Sequence, residues 1–267
     1  MRYFVPDIRL VDEESRQNEK LGGMPWGLPV EKWPMCKGCG KPQSLLAQFE
    51  HHPERLDLER AGRVLFVFQC DHDSGACETW SASSGANACF IVEPEELSQV
   101  VTPLPAGGFE PMLEVRISSW IVKDDDIPLE LVDHFYEDKK YLELQEEVLE
   151  KLTDSTRLGS VPSWIQSADE GPKDGWQFVG QLDSTYSFYQ APSKPKANAV
   201  EGIGWKIFKS VLRLPAQPAG PLHEDKDRFE GRTHWAQGPN FGDGGIGYIY
   251  LKRGDEVPEG LFFWQCG

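Results

Sequence analysis

The stretch Arg63-Val64-Leu65-Phe66-Val67-Phe68-Gln69-Cys70 decides how the rest of the chain is read. Its apolar run is β-branched and aromatic, bounded by Gly62 and Asp71, and too short for a core helix, so it reads as a buried strand. Strand signals flank it. Leu45-Leu46-Ala47-Gln48-Phe49 comes before and Ala88-Cys89-Phe90-Ile91-Val92 after. Residues 112–122 alternate well enough for another strand, and residues 1–10 read as one more. The run 12–19 is polar and reads as solvated, and Lys20-Leu21-Gly22-Gly23-Met24-Pro25 reads as turn-rich.

Working outward, the same signals return later in the same order. Arg157-Leu158-Gly159-Ser160-Val161-Pro162 echoes the Lys20 segment, and Phe178-Val179-Gly180-Gln181-Leu182-Asp183 echoes the Gln48 strand. Gly245-Ile246-Gly247-Tyr248-Ile249-Tyr250-Leu251 echoes the strand after Gly62, and Phe263-Trp264-Gln265-Cys266 echoes Phe68-Gln69-Cys70. An ordered series of this kind points to an internal duplication, with a long insertion between Asp183 and Phe241 in the second copy. Between the copies, Leu131, Phe135, Leu142, Leu149 and Leu152 recur at helical spacings, which predicts one helix over residues 126–154. A shorter helix is expected over 204–212, with Pro-rich connectors at 191–196 and 214–221. The expected fold class is α+β: mostly antiparallel strands in two duplicated halves joined by a helix. The boundaries are an N-terminal half at 1–125 carrying a zinc-ribbon-like four-cysteine site, a connecting helix at 126–156, and a related C-terminal half at 157–267.

At 267 residues the chain can bury a sizeable core, and 39% hydrophobic content excludes a disordered or fibrous class. A net charge of −16 disfavours nucleic acid and anionic membrane surfaces as partners and allows a basic protein. No apolar stretch reaches the roughly 18 residues of a spanning helix. Pro6, Asp7 and Arg9 interrupt the start where a signal peptide needs an apolar run, so a cytoplasmic location is expected. There, cysteines are thiols or metal ligands rather than disulfides.

The cysteines carry the sharpest chemistry. Cys36-Lys37-Gly38-Cys39-Gly40 is a CxxC knuckle whose turn lets two thiolates converge on one cation. About thirty residues on, Cys70-Asp71-His72-Asp73-Ser74-Gly75-Ala76-Cys77 supplies two more, more widely spaced. Cys36, Cys39, Cys70 and Cys77 are the expected ligands of one structural zinc, with His72 an alternative to either member of the second pair. Cys89 and Cys266 lie in apolar strands and read as packing residues.

Other constellations are weaker. His51-His52 reads as a polar loop, and Asp71, His72 and Asp73 as solvated residues of the metal loop. Asn240-Phe241-Gly242-Asp243-Gly244-Gly245 lacks the Lys-Ser/Thr of a phosphate loop and precedes a strand, so it reads as a turn. Without a nucleophile elbow, a zinc-protease helix or a dinucleotide fingerprint, no catalytic residue is assigned. The leading expectation is a non-enzymatic, zinc-containing protein-binding module, a chaperone or adaptor for a basic client. The alternative is a small-molecule binder or hydrolase using a cleft between the halves, walled by Trp33 and Trp164 with Asp183 and Asp243 as paired carboxylates.

From Leu21 onward the chain resembles the YwqG-like bacterial family of unknown function. The resemblance rests on Lys20-Leu21-Gly22-Gly23-Met24-Pro25, Trp33-Pro34, Cys36-x-x-Cys39-Gly40-Lys41-Pro42, Leu46-Ala47-Gln48 and Leu65-Phe66-Val67-Phe68. In the second half it rests on Trp164-Ile165-Gln166, Gln181-Leu182-Asp183, Phe241-Gly242-Asp243-Gly244-Gly245 and Gln265-Cys266. Many members lack the cysteines, and Cys70-x6-Cys77-x-x-Trp80 resembles a subset. Residues 20–70 also resemble the programmed cell death protein 2 family, which implies a chaperone of a ribosomal protein. Ser44 and Leu45 follow Pro42-Gln43 here, which makes that match one residue looser. Neither resemblance supplies a catalytic residue.

Overall fold

A computed structural model describes residues 1–10, 18–108, 110–188, 234–254 and 256–267. In chain order the strands among them are β1 (Arg2–Leu10), β2 (Lys20–Leu21), β3 (Ser44–Glu50), β4 (Val64–Gln69), β5 (Asn87–Val92) and β6 (Val115–Asp124). They continue as β7 (Arg157–Gly159), β8 (Trp176–Asp183), β9 (Thr185–Phe188), β10 (His234–Gln237), β11 (Ile246–Lys252) and β12 (Glu259–Gln265). The helix expected over 204–212 and the connectors at 191–196 and 214–221 lie outside the described residues.

Ten strands form one antiparallel sheet in the order β12-β11-β8-β7-β1-β6-β2-β3-β4-β5. Its two end strands pack against each other, so the sheet is a nearly closed barrel. The closing seam depends on Gly260, where a Cβ would lie 2.6 Å from the Cys89 carbonyl oxygen and 2.7 Å from its sulfur. β9 and β10 form a separate two-stranded antiparallel sheet, and Tyr186 and Ala236 from it enter the barrel core.

The side-chain alternation of β4 explains its uninterrupted apolar sequence. Leu65 and Val67 point into the barrel core, and Val64, Phe66 and Phe68 point into a second cluster outside it with Leu28, Trp33, Leu45 and Val92. A strand covered on both faces has no solvent side to make polar. β11 does the same. Ile249 and Leu251 face the barrel core, while Ile246, Tyr248 and Tyr250 join Trp164, Phe178 and Phe263 in an outer cluster.

Strand pairing is matched on the two sides of β1 and β6. Lys20 stands opposite Gln48 and Leu21 opposite Ala47, as Arg157 stands opposite Gln181 and Leu158 opposite Gly180. Gln48 is then opposite Phe66, and Gln181 opposite Tyr248. Phe66 faces Phe90 across the next ladder, and Tyr248 faces Phe263. One sequence echo does not follow this order. Gln69 closes β4 whereas Gln265 closes β12, and β12 holds the position that β5 holds on the other side.

The α+β expectation, with halves joined by a helix, is corrected. The protein is mostly antiparallel sheet with about 11% helix. Residues 126–154 form a 3₁₀ segment (Leu129–Tyr136) and two single turns, α1 (Asp138–Tyr141) and α2 (Glu146–Leu149). Extended backbone at Glu137 (φ −144°, ψ 128°) and at Gln145 (φ −71°, ψ 149°) separates them. Helical spacing alone is a weak driving force, and here tertiary contacts prevail over it. Ile127, Phe135 and Val148 must meet around Val161, which a straight rod cannot arrange, and Leu142 is left 83% exposed. The break also frees the Asp138 carboxylate to accept from Ser167 Oγ at 2.7 Å and Ala168 N at 2.6 Å. Among the described residues no helix is long and apolar enough to cross a membrane.

Candidate metal centre

The knuckle hangs from the outer layer of the first half. Trp33 packs on Phe68 with ring centroids 5.7 Å apart, and its Nε1 donates to the Gln43 carbonyl at 3.0 Å. Between these anchors the chain turns back on itself. Cys36 N donates to Lys41 O at 2.8 Å, and Gly40 N to Cys36 O at 2.8 Å. Gly40 has φ +70°, a left-handed conformation that glycine adopts without strain. The second pair comes from the end of β4. Cys70 N donates to Ala86 O at 2.7 Å, and the loop beyond returns Cys77 by its N–H bond to Asp73 O at 3.0 Å. Lys37 N bonds Gly85 O at 3.1 Å, which ties the two pieces together.

This brings Cys36, Cys39, Cys70 and Cys77 into one cluster with all four sulfurs within 4.8 Å of one another. Cys39 Sγ and Cys70 Sγ are 3.6 Å apart. Four sulfurs at the usual zinc bond length of about 2.3 Å in a tetrahedron stand about 3.8 Å apart, so the cluster has the size such an ion needs. The four cysteines lie close enough together to bind a metal ion.

Backbone amides already point at the sulfurs. Gly38 and Cys39 N–H groups donate to Cys36, and those of His72 and Asp73 to Cys70. Burial raises the Cys36 thiol, but these amides and the neighbouring thiols outweigh it and pull it below its ordinary value. Burial is the main cause at Cys70, pushed up to about 11, and at Cys77, which is also raised. His72 is exposed and outside the four-residue set. Cys89 is buried enough for burial alone to raise its thiol, and it packs on the barrel core along with Cys266.

Two of the proposed cleft residues are placed separately. Trp33 and Trp164 belong to different outer clusters. Trp164 packs tilted against Tyr248, with ring centroids 4.7 Å apart, and its Nε1 donates to the Phe135 carbonyl at 2.6 Å. Asp183, opposite Ile246, is buried and accepts from Thr185 Oγ1 at 2.6 Å, while Asp243 is exposed in the turn before β11.

Sequence reasoning missed a second polar cluster. Glu19, at the end of a run read as solvated, is 1% exposed. It receives hydrogen bonds from Arg55 Nη2 and, at 3.1 Å, from Trp120 Nε1. Arg55 lies over the Trp120 ring, 4.6 Å from its centroid. Burial pushes the Glu19 carboxyl up to about 7 despite the Arg55 charge and the Trp120 bond. The one available signal was Glu19 standing next to Lys20-Leu21, which was itself read as a turn.

Compared with known proteins, the chain matches no family model. No curated protein matches it either.

Proposed function

We propose that the protein is a non-enzymatic protein-binding module built around a structural zinc ion, and that its client is a basic protein. The observation that carries this reading is the convergence of four cysteine sulfurs within 4.8 Å. Four thiolates complete a tetrahedral shell and leave no coordination position for a substrate or a reactive water, so the ion's role in this reading is to hold shape. Several exposed apolar side chains flank it. Val30 and Met35 precede and enter the knuckle, while Val100, Val101 and Leu104 lie on the strap bridged to Trp26. Leu104 also lines a crevice with Met24, Trp33 and Pro42. Apolar side chains exposed together on an acidic chain fit a client with a basic rim around an apolar contact. The reading places the protein in the cytoplasm and keeps the resemblances to the YwqG-like and programmed cell death protein 2 families as proposals.

Metal analysis of protein purified without chelators tests the site, with one zinc per chain expected. Capture from native lysate on the immobilised protein at low salt tests the client, and one basic protein is expected in stoichiometric amount. A paired Met35→Ser and Leu104→Ser variant should release that protein while keeping its zinc. Retention of no protein by the wild type, or equal retention by the variant, would sink the proposal.

A further inference from the structure

Cys39 differs from the other three cysteines of the cluster. It is half-buried, while Cys36, Cys70 and Cys77 are buried. It stands at the tip of the knuckle between the exposed Gly38 and Gly40, and a Cβ at Gly40 would meet nothing within 4 Å. Cys36 and Cys77 are covered by Gly38, where a Cβ would lie 3.4 Å from Cys77 Sγ and 3.6 Å from Cys36 Sγ. A small oxidant arriving from solvent therefore meets Cys39 first. A second thiol stands beside it, with Cys70 Sγ 3.6 Å away.

Cys70 is fixed, and Cys39 has room to approach it. Cys70 N donates to Ala86 O at 2.7 Å at the end of β4. The two glycines beside Cys39 give its backbone wide conformational freedom. A disulfide holds its sulfurs about 2.05 Å apart, so the Cys39 sulfur has about 1.5 Å to travel. We propose that Cys39 is a site of peroxide oxidation and Cys70 its resolving partner, the two closing to a reversible disulfide that replaces a metal pin by a covalent one. The proposal rests on the preceding reading only in taking zinc as the ion that the four reduced cysteines hold.

The oxidant is a hydroperoxide. The Cys39 thiolate attacks one peroxide oxygen, the O–O bond breaks, and a sulfenic acid and hydroxide form. The Cys70 thiolate then attacks the Cys39 sulfur, the S–O bond breaks, and a second hydroxide leaves. The two sulfurs together give up two electrons to the peroxide, and both hydroxides take protons from solvent to become water. A shell of four thiolates loses two members, which ends its hold on the ion. A dithiol reverses the change by exchange at the disulfide, returning both thiolates and ending as a disulfide itself. The new bond joins the same two pieces of chain as the cluster, the knuckle and the end of β4, so the oxidised protein keeps its outer layer over Phe66 fastened.

The test adds one equivalent of hydrogen peroxide to the full zinc-loaded chain and follows the metal with a chromogenic chelator. Zinc release in step with the loss of two of the six thiols is expected, and peptide mapping should find Cys39 joined to Cys70. Dithiothreitol with added zinc should restore both thiols and metal. Amide exchange over residues 33–41 should be slower in the oxidised chain than in reduced chain stripped by a chelator, which separates an exchange of fastenings from simple loss of metal. Cys39→His keeps a zinc-ligating side chain and should release zinc under peroxide at least about tenfold more slowly. If Cys39→His does not hold zinc, the wild-type peptide map still decides. A chain purified without zinc would count against the zinc reading alone, because the same map is made on reduced, metal-free protein. A Cys36–Cys77 link, overoxidation without any link, or zinc retained under peroxide would overturn the proposal.

Discussion

Phe66 and Tyr248 occupy corresponding places on the two sides of the barrel, yet the outer layers that cover them are held by different chemistry. Over Phe66, the segment from Trp26 to Gly40 is clamped at one end by Gln48, which bonds Trp26 through its carbonyl (2.9 Å) and its amide (3.0 Å). At its other end are the four cysteines. Over Tyr248, Gln181 plays the same part, accepting from Ser163 N at 3.1 Å and donating to Thr153 O at 2.9 Å. The far end there has only hydrogen bonds. Gln265 accepts from Gln166 N at 3.0 Å and donates to Ser167 O at 2.8 Å. Even the buried cations correspond, Lys20 reaching Met24 O and Arg157 reaching Val161 O, each four residues ahead. The lesson is that one backbone plan accepts either a cluster of four cysteines able to hold a metal ion or a polar network as its second fastening.

The largest expected effect comes from removing the pin. Cys36→Ser should lower zinc content and stability together, by roughly 4 kcal/mol or more, since binding free energy at a structural site is folding free energy. Hydrogen exchange should rise first over residues 33–41 and 85–90, with β8 and β11 spared. Equal loss of protection on both sides would break the comparison by showing that the layers open as one.

Trp164→Ala is the matching insult to the other side. It removes a ring packed against Tyr248 and stacked on Phe263 at 6.3 Å, at a cost of about 3–4 kcal/mol. Denaturant unfolding should show this loss while zinc content stays at its wild-type value.

The strands that carry both layers were readable because β4 and β11 are apolar on both faces. The cysteine cluster was readable because CxxC spacing is itself local geometry. What failed was long-range. The 126–154 segment has helical spacing, but Phe135 and Val148 are also buried against Val161 and Met1, which lie outside it and which its own periodicity does not encode. Glu19 looked solvated because its partners are Arg55 and Trp120, thirty-six and one hundred and one positions away. The Gln265-Cys266 echo misled because identical dipeptides sit on strands that do not correspond, β4 and β12.

Glu19 also sets a pH dependence on the first side of the barrel. Its ordinary value is 4.5 and its folded value about 7. The folded state therefore binds the extra proton between those values, and stability rises as pH falls from about 7 towards 4.5. The span is at most about 3 kcal/mol. Glu19→Gln keeps the hydrogen-bonding shape and should flatten this slope in urea midpoints measured at pH 5 and pH 8. An unchanged slope would place the effect elsewhere.

The smallest effect is the most discriminating. Gln48→Leu and Gln181→Leu each strand a backbone N–H and a carbonyl that are at least partly buried, at Trp26 in the first case and at Ser163 and Thr153 in the second. Such groups cost their full desolvation penalty only where the backbone cannot move out to water. The Trp26 segment is fastened again at the cysteines, so it cannot move, and Gln48→Leu should cost about 2 kcal/mol. The Ser163 segment is fastened again by hydrogen bonds to Gln265 and Tyr248 rather than by the cysteines, so it yields more readily, and Gln181→Leu should cost less, about 1 kcal/mol, with faster amide exchange at Ser163 and Trp164. Stripping the metal with a chelator should then bring the cost of Gln48→Leu down to that of Gln181→Leu. If the two costs differ by the same margin with and without metal, the pin and the glutamine clamp act independently, and the division of labour between the two layers is wrong.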